Sequence, residues 1–175
     1  RSTLFPYTTL FRSTNRYLRT DRLLKDANGD TRYATNDDGT LNYDQPLSAD
    51  GAVESTILFV LANHLYVSHQ DKGAKGYSEG RWSQCHLDLH NAHLTEAVIF
   101  YNTFVGNINA TGTHFTKDSS FLQCTFMSDA NFRNAKFVDV ADFRYSKFKG
   151  AAVFSEAKFK GDAYFLGSKI GRAHV

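Results

Sequence analysis

Phenylalanine recurs at alternating steps of five and six residues from position 115 to position 165, and a small residue stands two positions before each ring. Large apolar residues at steps of five extend this ladder towards the N-terminus. The expected rung within residues 107–112 has no large apolar residue. The ladder consists of Leu89, Leu94, Ile99, Phe104, Phe115, Phe121, Phe126, Phe132, Phe137, Phe143, Phe148, Phe154, Phe159 and Phe165. Self-similarity at a fixed short period predicts a repeat architecture.

Neither a helix nor a single extended strand places all rungs of this ladder on one side. In a helix, steps of five and six residues turn by about 140° and 240°, which gives two stripes. In a strand, an odd step sends the next side chain to the opposite face. If the chain turns a corner at every step, each ring can point towards a common axis. The pattern therefore predicts an all-β solenoid.

Two consecutive segments carry a family resemblance. Residues 130–134 and 135–139 follow the pattern small-x-Phe-x-x, which is similar to that of the bacterial pentapeptide-repeat family, and the match runs from about Leu87 to Ser168. The resemblance implies a right-handed quadrilateral β-helix with the large and small residues turned inward. Alternate steps insert a sixth residue, often beside a glycine such as Gly150. We expect glycine to supply a positive φ at such a corner.

Turn signals dominate the region before the solenoid. Asn28–Gly29 and Asn36–Gly39 separate short segments, which predicts a short hairpin within residues 14–47. Asp26–Asp30 superficially resembles a calcium-binding loop, but it lacks the alternating carboxylate spacing and the distant glutamate. A hairpin turn is the preferred interpretation.

A helix is expected between this hairpin and the repeats. Ser48 or Asp50 is a suitable N-cap for a helix from about Gly51 to Ser68. Its apolar face is predicted to contain Val53, Ile57, Leu58, Leu61 and Leu65. We expect residues 48–82, which comprise this helix and a polar loop, to cap the first coil of a solenoid over residues 83–169.

The two ends of the chain resemble translated sequencing adapters. Residues 1–13 and 170–175 have this character, and we expect both to be artefacts that carry no fold information. Ile170 falls on a rung position, which this interpretation treats as coincidence.

Charge changes the functional expectations. The chain has a formal net charge of +2, and basic residues outnumber acidic ones over residues 130–169. A positive net charge argues against DNA mimicry, which is a role of some pentapeptide-repeat proteins and requires a strongly acidic rod. The candidate basic surface comprises Arg133, Lys136, Arg144, Lys147, Lys149, Lys158 and Lys160. Repeat spacing places Lys136 and Lys158 on one face and Lys147 on the opposite face, which favours a solvated surface over a nucleic-acid or lipid site.

The sequence offers little catalytic or metal-binding chemistry. His86, His90 and His93 would converge on a helix, but the repeat frame spreads them over more than one face, so no zinc site is predicted. Cys124 occupies a small inward position and is expected to be a buried free thiol, and neither it nor Cys85 suggests a disulfide framework. No cofactor is implied.

These observations predict a non-catalytic structural or protein-interaction scaffold with an unknown protein partner. Self-association through an open end of the solenoid is a further expectation, because such an end exposes strand edges. Two alternatives stay open. One is a basic-surface binder of nucleic acid or anionic membrane, and the other is an accessory segment of a larger enzyme or membrane protein.

Overall fold

The structure is a computed structural model that describes residues 23–66, Trp82 and residues 85–174. In this part of the chain, an antiparallel hairpin and one helix precede a parallel β-solenoid of about four coils. The predicted all-β solenoid with a preceding helix and hairpin is confirmed. No helix of these residues has the length and apolar character needed to cross a membrane. Residues 1–22 and 67–81 lie outside the described residues.

The hairpin consists of β1 (Tyr33–Thr35) and β2 (Leu41–Pro46), joined by a turn in which Gly39 has a φ of 83°. Gly29 has a φ of 86° in the preceding turn. There, Asp26 Oδ1 accepts hydrogen bonds from the backbone N–H groups of Asn28 and Asp30, both at 2.9 Å. Asp26–Asp30 is therefore a hydrogen-bonded turn, as predicted.

Helix α1 spans Gly51–Leu65, and Asp50 caps it by accepting a hydrogen bond from the Val53 N–H at 3.2 Å. It ends three residues before the predicted end. Leu58, Leu61 and Leu65 are buried as expected. The predicted apolar face was wrong at Val53, which is exposed, because Glu54 takes the buried position in the first turn.

Each coil of the solenoid contributes a short strand to four successive faces, which we number 1 to 4 in chain order. Face 1 contains β3 (His86–Asp88), β7 (Asn107–Asn109) and β11 (Ala130–Asn131). Face 2 contains β4 (His93–Leu94), β8 (His114–Phe115), β12 (Lys136–Phe137) and β15 (Lys158–Phe159). Face 3 contains β5 (Val98–Ile99), β9 (Ser119–Ser120), β13 (Ala141–Asp142) and β16 (Ala163–Tyr164). Face 4 contains β6 (Phe104–Val105) and β10 (Thr125–Phe126), and both β14 (Lys147–Val153) and β17 (Lys169–His174) continue from face 4 round the corner onto face 1.

The parallel register fixes the length of a coil. His93 pairs with His114, His114 with Lys136, and Lys136 with Lys158, so the first step is 21 residues and the next two are 22. These pairings confirm that Lys136 and Lys158 share a face, and Lys147 lies on face 4, opposite face 2. The five-plus-six alternation of the ladder is thus half a coil. We number the coils 1 to 4 in chain order, and they begin on face 1 with β3, β7, β11 and the second part of β14.

Stacked phenylalanine rings fill the solenoid interior. Rings in successive coils lie nearly parallel, with centroids 4.6 Å apart for Phe115 and Phe137 and 4.9 Å apart for Phe121 and Phe143. Phe126 and Phe148 stack in the same way at 4.7 Å. This spacing is that of neighbouring strands. Burial of each ring stabilises the rod by roughly 1.5–3 kcal/mol.

Two rungs of the predicted ladder do not face the interior. Ile99 is 51% exposed and Phe104 is half-buried, whereas Phe100 and Val105 are fully buried. The register pairs Val105 with Phe126, and the backbone N–H of Phe100 donates to the Ser120 carbonyl beside Phe121. The first six-residue step therefore occurs already between Leu94 and Phe100. A one-residue shift in a strand reverses the side on which every side chain points.

At the missing rung of the ladder, the large and the small inward residue have exchanged places. Ala110 occupies the large inward position, and Ile108 occupies the small one in register with Ala130. Both Ala110 and Ile108 are fully buried. In coil 2 the large residue therefore stands two positions before its usual place, and the interior volume is preserved. The pattern of large residues in the sequence is interrupted at this point, but the fold continues.

Positive φ values occur at the five-residue corners, not beside the inserted residues. These corners are occupied by Asn91, Asn102, Gly112, Gln123, Asn134, Tyr145, Glu156 and Gly167. The expectation of a positive φ near Gly150 was therefore wrong. Gly150 instead allows its backbone to lie close to that of the preceding coil, because a Cβ at this position would lie 2.6 Å from the Ser128 carbonyl carbon.

The solenoid continues beyond residue 169, where the sequence analysis ended it. Strand β17 pairs with β14, and Ile170 is in register with Phe148. Phe165 and Ile170 in this last coil are 38% and 44% exposed, whereas Phe143 and Phe148 beneath them are buried. The adapter origin of residues 170–175 and self-association through this end both stay predictions.

Candidate functional site: the outer faces of the solenoid

The interior of the rod is chemically inert. Cys124 is fully buried, its thiol donates to the Phe100 carbonyl, and burial raises its pKa to about 12. Thr113 Oγ1 likewise donates to the Leu89 carbonyl at 2.8 Å. Because the thiolate is the reactive form of cysteine, Cys124 is a structural group, and the predicted buried free thiol is confirmed. Within the solenoid that the structure describes, the candidate surfaces for function are therefore the outer faces.

Glu54 closes the N-terminal end of the rod. Its fully buried carboxylate accepts hydrogen bonds from the backbone N–H groups of Thr95 and Glu96 at Oε1, at 2.8 and 3.1 Å. Oε2 accepts from Thr95 Oγ1 at 2.6 Å. One coil further, the N–H and Oγ1 of Thr116 both donate to the Leu94 carbonyl. The Glu54 carboxylate thus replaces the carbonyl that a preceding coil would supply.

The hairpin is anchored on face 2 by an ion-pair cluster. Asp44 of β2 binds the ammonium groups of Lys136 and Lys160, which belong to consecutive coils. The hydrogen bonds from Lys136 and then Lys160 lower the pKa of Asp44 below its ordinary value. Two members of the candidate basic surface are therefore paired within the chain.

His114 lies on the same face, in register with Lys136 and with His93, whose ring centroid is 5.4 Å away. Burial lowers the pKa of His114 to about 4, with smaller contributions from Lys136 and His93, while Asp44 opposes the shift. The imidazole is therefore neutral in the folded protein at neutral pH.

This arrangement predicts a pH dependence of stability. Between about pH 6.5 and pH 4 the unfolded chain protonates His114 while the folded chain does not, so the free energy of unfolding falls as the pH is lowered through this window. The contribution of Asp44 is present above its ordinary pKa of 3.8 and is lost only below it. His114→Gln should reduce the loss between pH 7 and pH 4.5 by on the order of 1 kcal/mol, because solvent screening reduces the full linkage value at a partly exposed site.

Urea denaturation at several pH values measures this difference. His86→Gln is the matched control, since His86 is exposed on face 1, and it should leave the profile unchanged. Equal pH profiles for His114→Gln and the wild-type chain would contradict the assignment.

Face 3 carries exposed apolar and aromatic side chains. Ile99, Tyr101 and Tyr164 are about half exposed, and Leu166 is 69% exposed. At the first coil this face adjoins α1, and a groove of about 340 Å³ lies between them, where Phe59 of the helix is 68% exposed. The groove lining is mainly apolar. Such a patch is a common mark of a protein-interaction surface.

Arg144, a further member of the candidate basic surface, is also paired with an acid of the same chain. Its Nε and Nη2 donate to Oδ1 and Oδ2 of Asp142 at 2.9 and 2.7 Å, and its guanidinium lies 5.4 Å from the centre of the Tyr164 ring. The bonds from Arg144 lower the pKa of Asp142. The pair therefore forms a bidentate contact on face 3.

The remaining basic residues do not form one surface. Lys147 and Lys149 are exposed on face 4, Lys158 is exposed on the opposite face 2, and Arg133 follows the inner ring of face 1 at a corner. Lys169, outside the predicted set, is in register with Lys147. The positive charge is distributed around the rod, as the repeat spacing indicated.

Face 1 is polar. Asp88, Asn109 and Asn131 occupy one outward column, with Asn109 Nδ2 donating to Asp88 Oδ1 at 3.2 Å. His90 Nδ1 lies 2.6 Å from the same oxygen. His86 lies on face 1 and His93 on face 2, so the three histidines do not converge. The part of the chain that the structure describes contains no group of three or more side chains placed to hold a metal ion.

The roles of Glu54, Asp44 and the aromatic surface of face 3 were not predicted from the sequence. Glu54 precedes Leu58 by four residues, a spacing that places both on one side of a helix and signals a buried acid. Comparison of the chain with protein-family models, with curated proteins and with solved structures finds no match.

Proposed function

We propose that the protein is a non-catalytic scaffold of the pentapeptide-repeat type that binds another protein through face 3 and the adjoining groove of α1. The observation that carries this proposal is the exposed apolar surface formed by Ile99 and Tyr101 of face 3 with Phe59 of α1 across the groove. Aromatic side chains contribute large contact area with little loss of conformational freedom, and they are enriched in protein interfaces. The expected partner is a segment with apolar or aromatic side chains.

The basic-surface alternative has weaker support. Lys136 and Lys160 pair with Asp44, and Arg144 pairs with Asp142. The phosphate backbone of nucleic acid or an anionic membrane requires a contiguous positive surface. Lys147, Lys149 and Lys169 lie on face 4 and Lys158 lies on the opposite face 2, so no single flat or linear polyanion can contact all of the exposed lysines.

Peptide display against the immobilised full chain tests the proposal. Peptides rich in aromatic and apolar residues should be enriched, and the double substitution Phe59→Ser with Tyr101→Ser should abolish their saturable binding. Lys149→Ser on face 4 is the control and should retain it. Circular dichroism establishes that both variants stay folded. Selected peptides that bind the double variant as tightly as the wild-type chain would refute the assignment to face 3 and the groove.

A further inference from the structure

The column of outward side chains on face 4 has a gap in coil 2. Phe104, Thr125 and Lys147 occupy the same outward position in coils 1, 2 and 3, since the register pairs Thr125 with both of the others. Phe104 and Lys147 have long side chains, whereas Thr125 is short and only 8% exposed. The outward column is therefore interrupted in coil 2.

A second column borders this gap at the corner between faces 3 and 4. Gln123 and Tyr145 stand there in coils 2 and 3, both with positive φ, and Tyr145 is 51% exposed. Together with Phe104, Thr125 and Lys147 they line a pocket of about 340 Å³. This volume is at the lower end of the range for small-molecule sites, roughly 300–1,000 Å³.

The spacing of the coils determines what fits in the gap. Inner rings of adjacent coils stack at 4.6 to 5.1 Å, so side chains two coils apart are separated by roughly 9–10 Å. A planar ring in van der Waals contact on both sides needs about 7 Å. One planar ring can therefore lie over Thr125, between Phe104 on one side and the side chains of coil 3 on the other.

The charge at the pocket selects among planar molecules. Lys147 is exposed and forms no ion pair with any residue that the structure describes, and Lys169 lies one coil further in register with it. An ammonium group beside the ring position favours an anionic substituent. The exposed amide of Gln123 offers both a donor and an acceptor at the ring edge.

We propose that this pocket binds a planar aromatic or heteroaromatic ring that carries an anionic group. The ring lies over Thr125 against Phe104, in the place of the missing side chain of coil 2, with Gln123 and Tyr145 at the edge of the pocket, and Lys147 binds the anion. A nucleobase with its phosphate and an aryl carboxylate share this chemistry.

NMR titration of the full chain tests the site with four probes. Adenosine monophosphate combines a heteroaromatic ring and an anion, adenosine lacks the anion, ribose 5-phosphate lacks the ring, and 2-naphthoate carries a carboxylate on a purely hydrocarbon ring. We expect saturable shifts at Gln123, Thr125 and Tyr145 with one or both aromatic anions at millimolar concentration, and much weaker shifts with the two partial probes. Binding of the monophosphate alone indicates a nucleotide site, and binding of both indicates a general site for aromatic anions.

Thr125→Phe supplies the missing ring and should weaken binding by about tenfold or more. Lys147→Ala should weaken it less and should remove most of its salt dependence, and it serves as the second test if Thr125→Phe does not fold. Lys158→Ala on face 2 is the control and should bind as the wild-type chain does. Binding that is unaffected by Thr125→Phe and Lys147→Ala, or equal shifts with ribose 5-phosphate, would overturn the proposal.

Discussion

Phe143→Asp is expected to abolish cooperative folding of the solenoid. Phe143 is fully buried and lies between Phe121 and Phe165, with ring centroids 4.9 and 5.1 Å away. Truncation of a buried phenylalanine costs about 3–5 kcal/mol. An unpaired carboxylate on the axis adds a desolvation cost of several kcal/mol. The total is comparable with the stability of a typical domain, about 5–15 kcal/mol.

Urea denaturation followed by circular dichroism measures this effect. The control is Lys147→Asp, four residues further along the chain, where the side chain is exposed on face 4. It should change the free energy of unfolding by no more than about 0.5 kcal/mol, as expected for an exposed site. If both variants unfold with the same midpoint, Phe143 does not lie on a packed axis.

The interior of the solenoid could be predicted because one periodic pattern specifies it. Every coil from residue 107 onward presents its inward residues at the same spacing, and the Ile108–Ala110 exchange conserves volume within a coil. The first coil is different. Val98, Ile99 and Phe100 are consecutive apolar residues, as are Phe104 and Val105, so alternation alone gives two possible frames. The structure resolves the ambiguity through the register with coil 2.

The contacts of the outer surface could not be predicted in the same way. Asp44 binds Lys136 and Lys160 across 92 and 116 residues of sequence, and no repeat pattern encodes such a pairing. Lys136 and Lys160 were included in the candidate basic surface because a count of basic and acidic residues does not show which of them form ion pairs. The hairpin turns themselves were predictable, since asparagine, aspartate and glycine define them locally. Their position on face 2 depends on tertiary contacts alone.

Glu54→Leu is the second substitution for which we expect a large effect. It leaves the N–H groups of Thr95 and Glu96 and the Thr95 hydroxyl without their acceptor at the buried junction of α1 and coil 1. Each of these three groups costs about 1–3 kcal/mol when it is left unsatisfied, so the free energy of unfolding should fall by roughly 3–9 kcal/mol. Thr56→Leu on the exposed side of α1 is the control and should be nearly neutral.

Hydrogen exchange locates the effect. The amides of Thr95 and Glu96 should lose protection in Glu54→Leu, while the amide of Phe143 in coil 3 should lose less. Unchanged protection at Thr95 would show that the carboxylate does not close this end of the rod.

Glu54→Gln separates geometry from charge. The Leu94 carbonyl makes the corresponding contacts to Thr116 in the next coil without any charge, at 3.0 Å to the N–H and 2.8 Å to Oγ1. A glutamine amide oxygen can accept both backbone N–H groups, and its NH₂ can donate to the Thr95 hydroxyl, which also accepts. Glu54→Gln should therefore retain most of the stability that Glu54→Leu loses. If glutamine destabilises the protein as much as leucine does, the charge of Glu54 and not its likeness to a carbonyl stabilises this end of the rod.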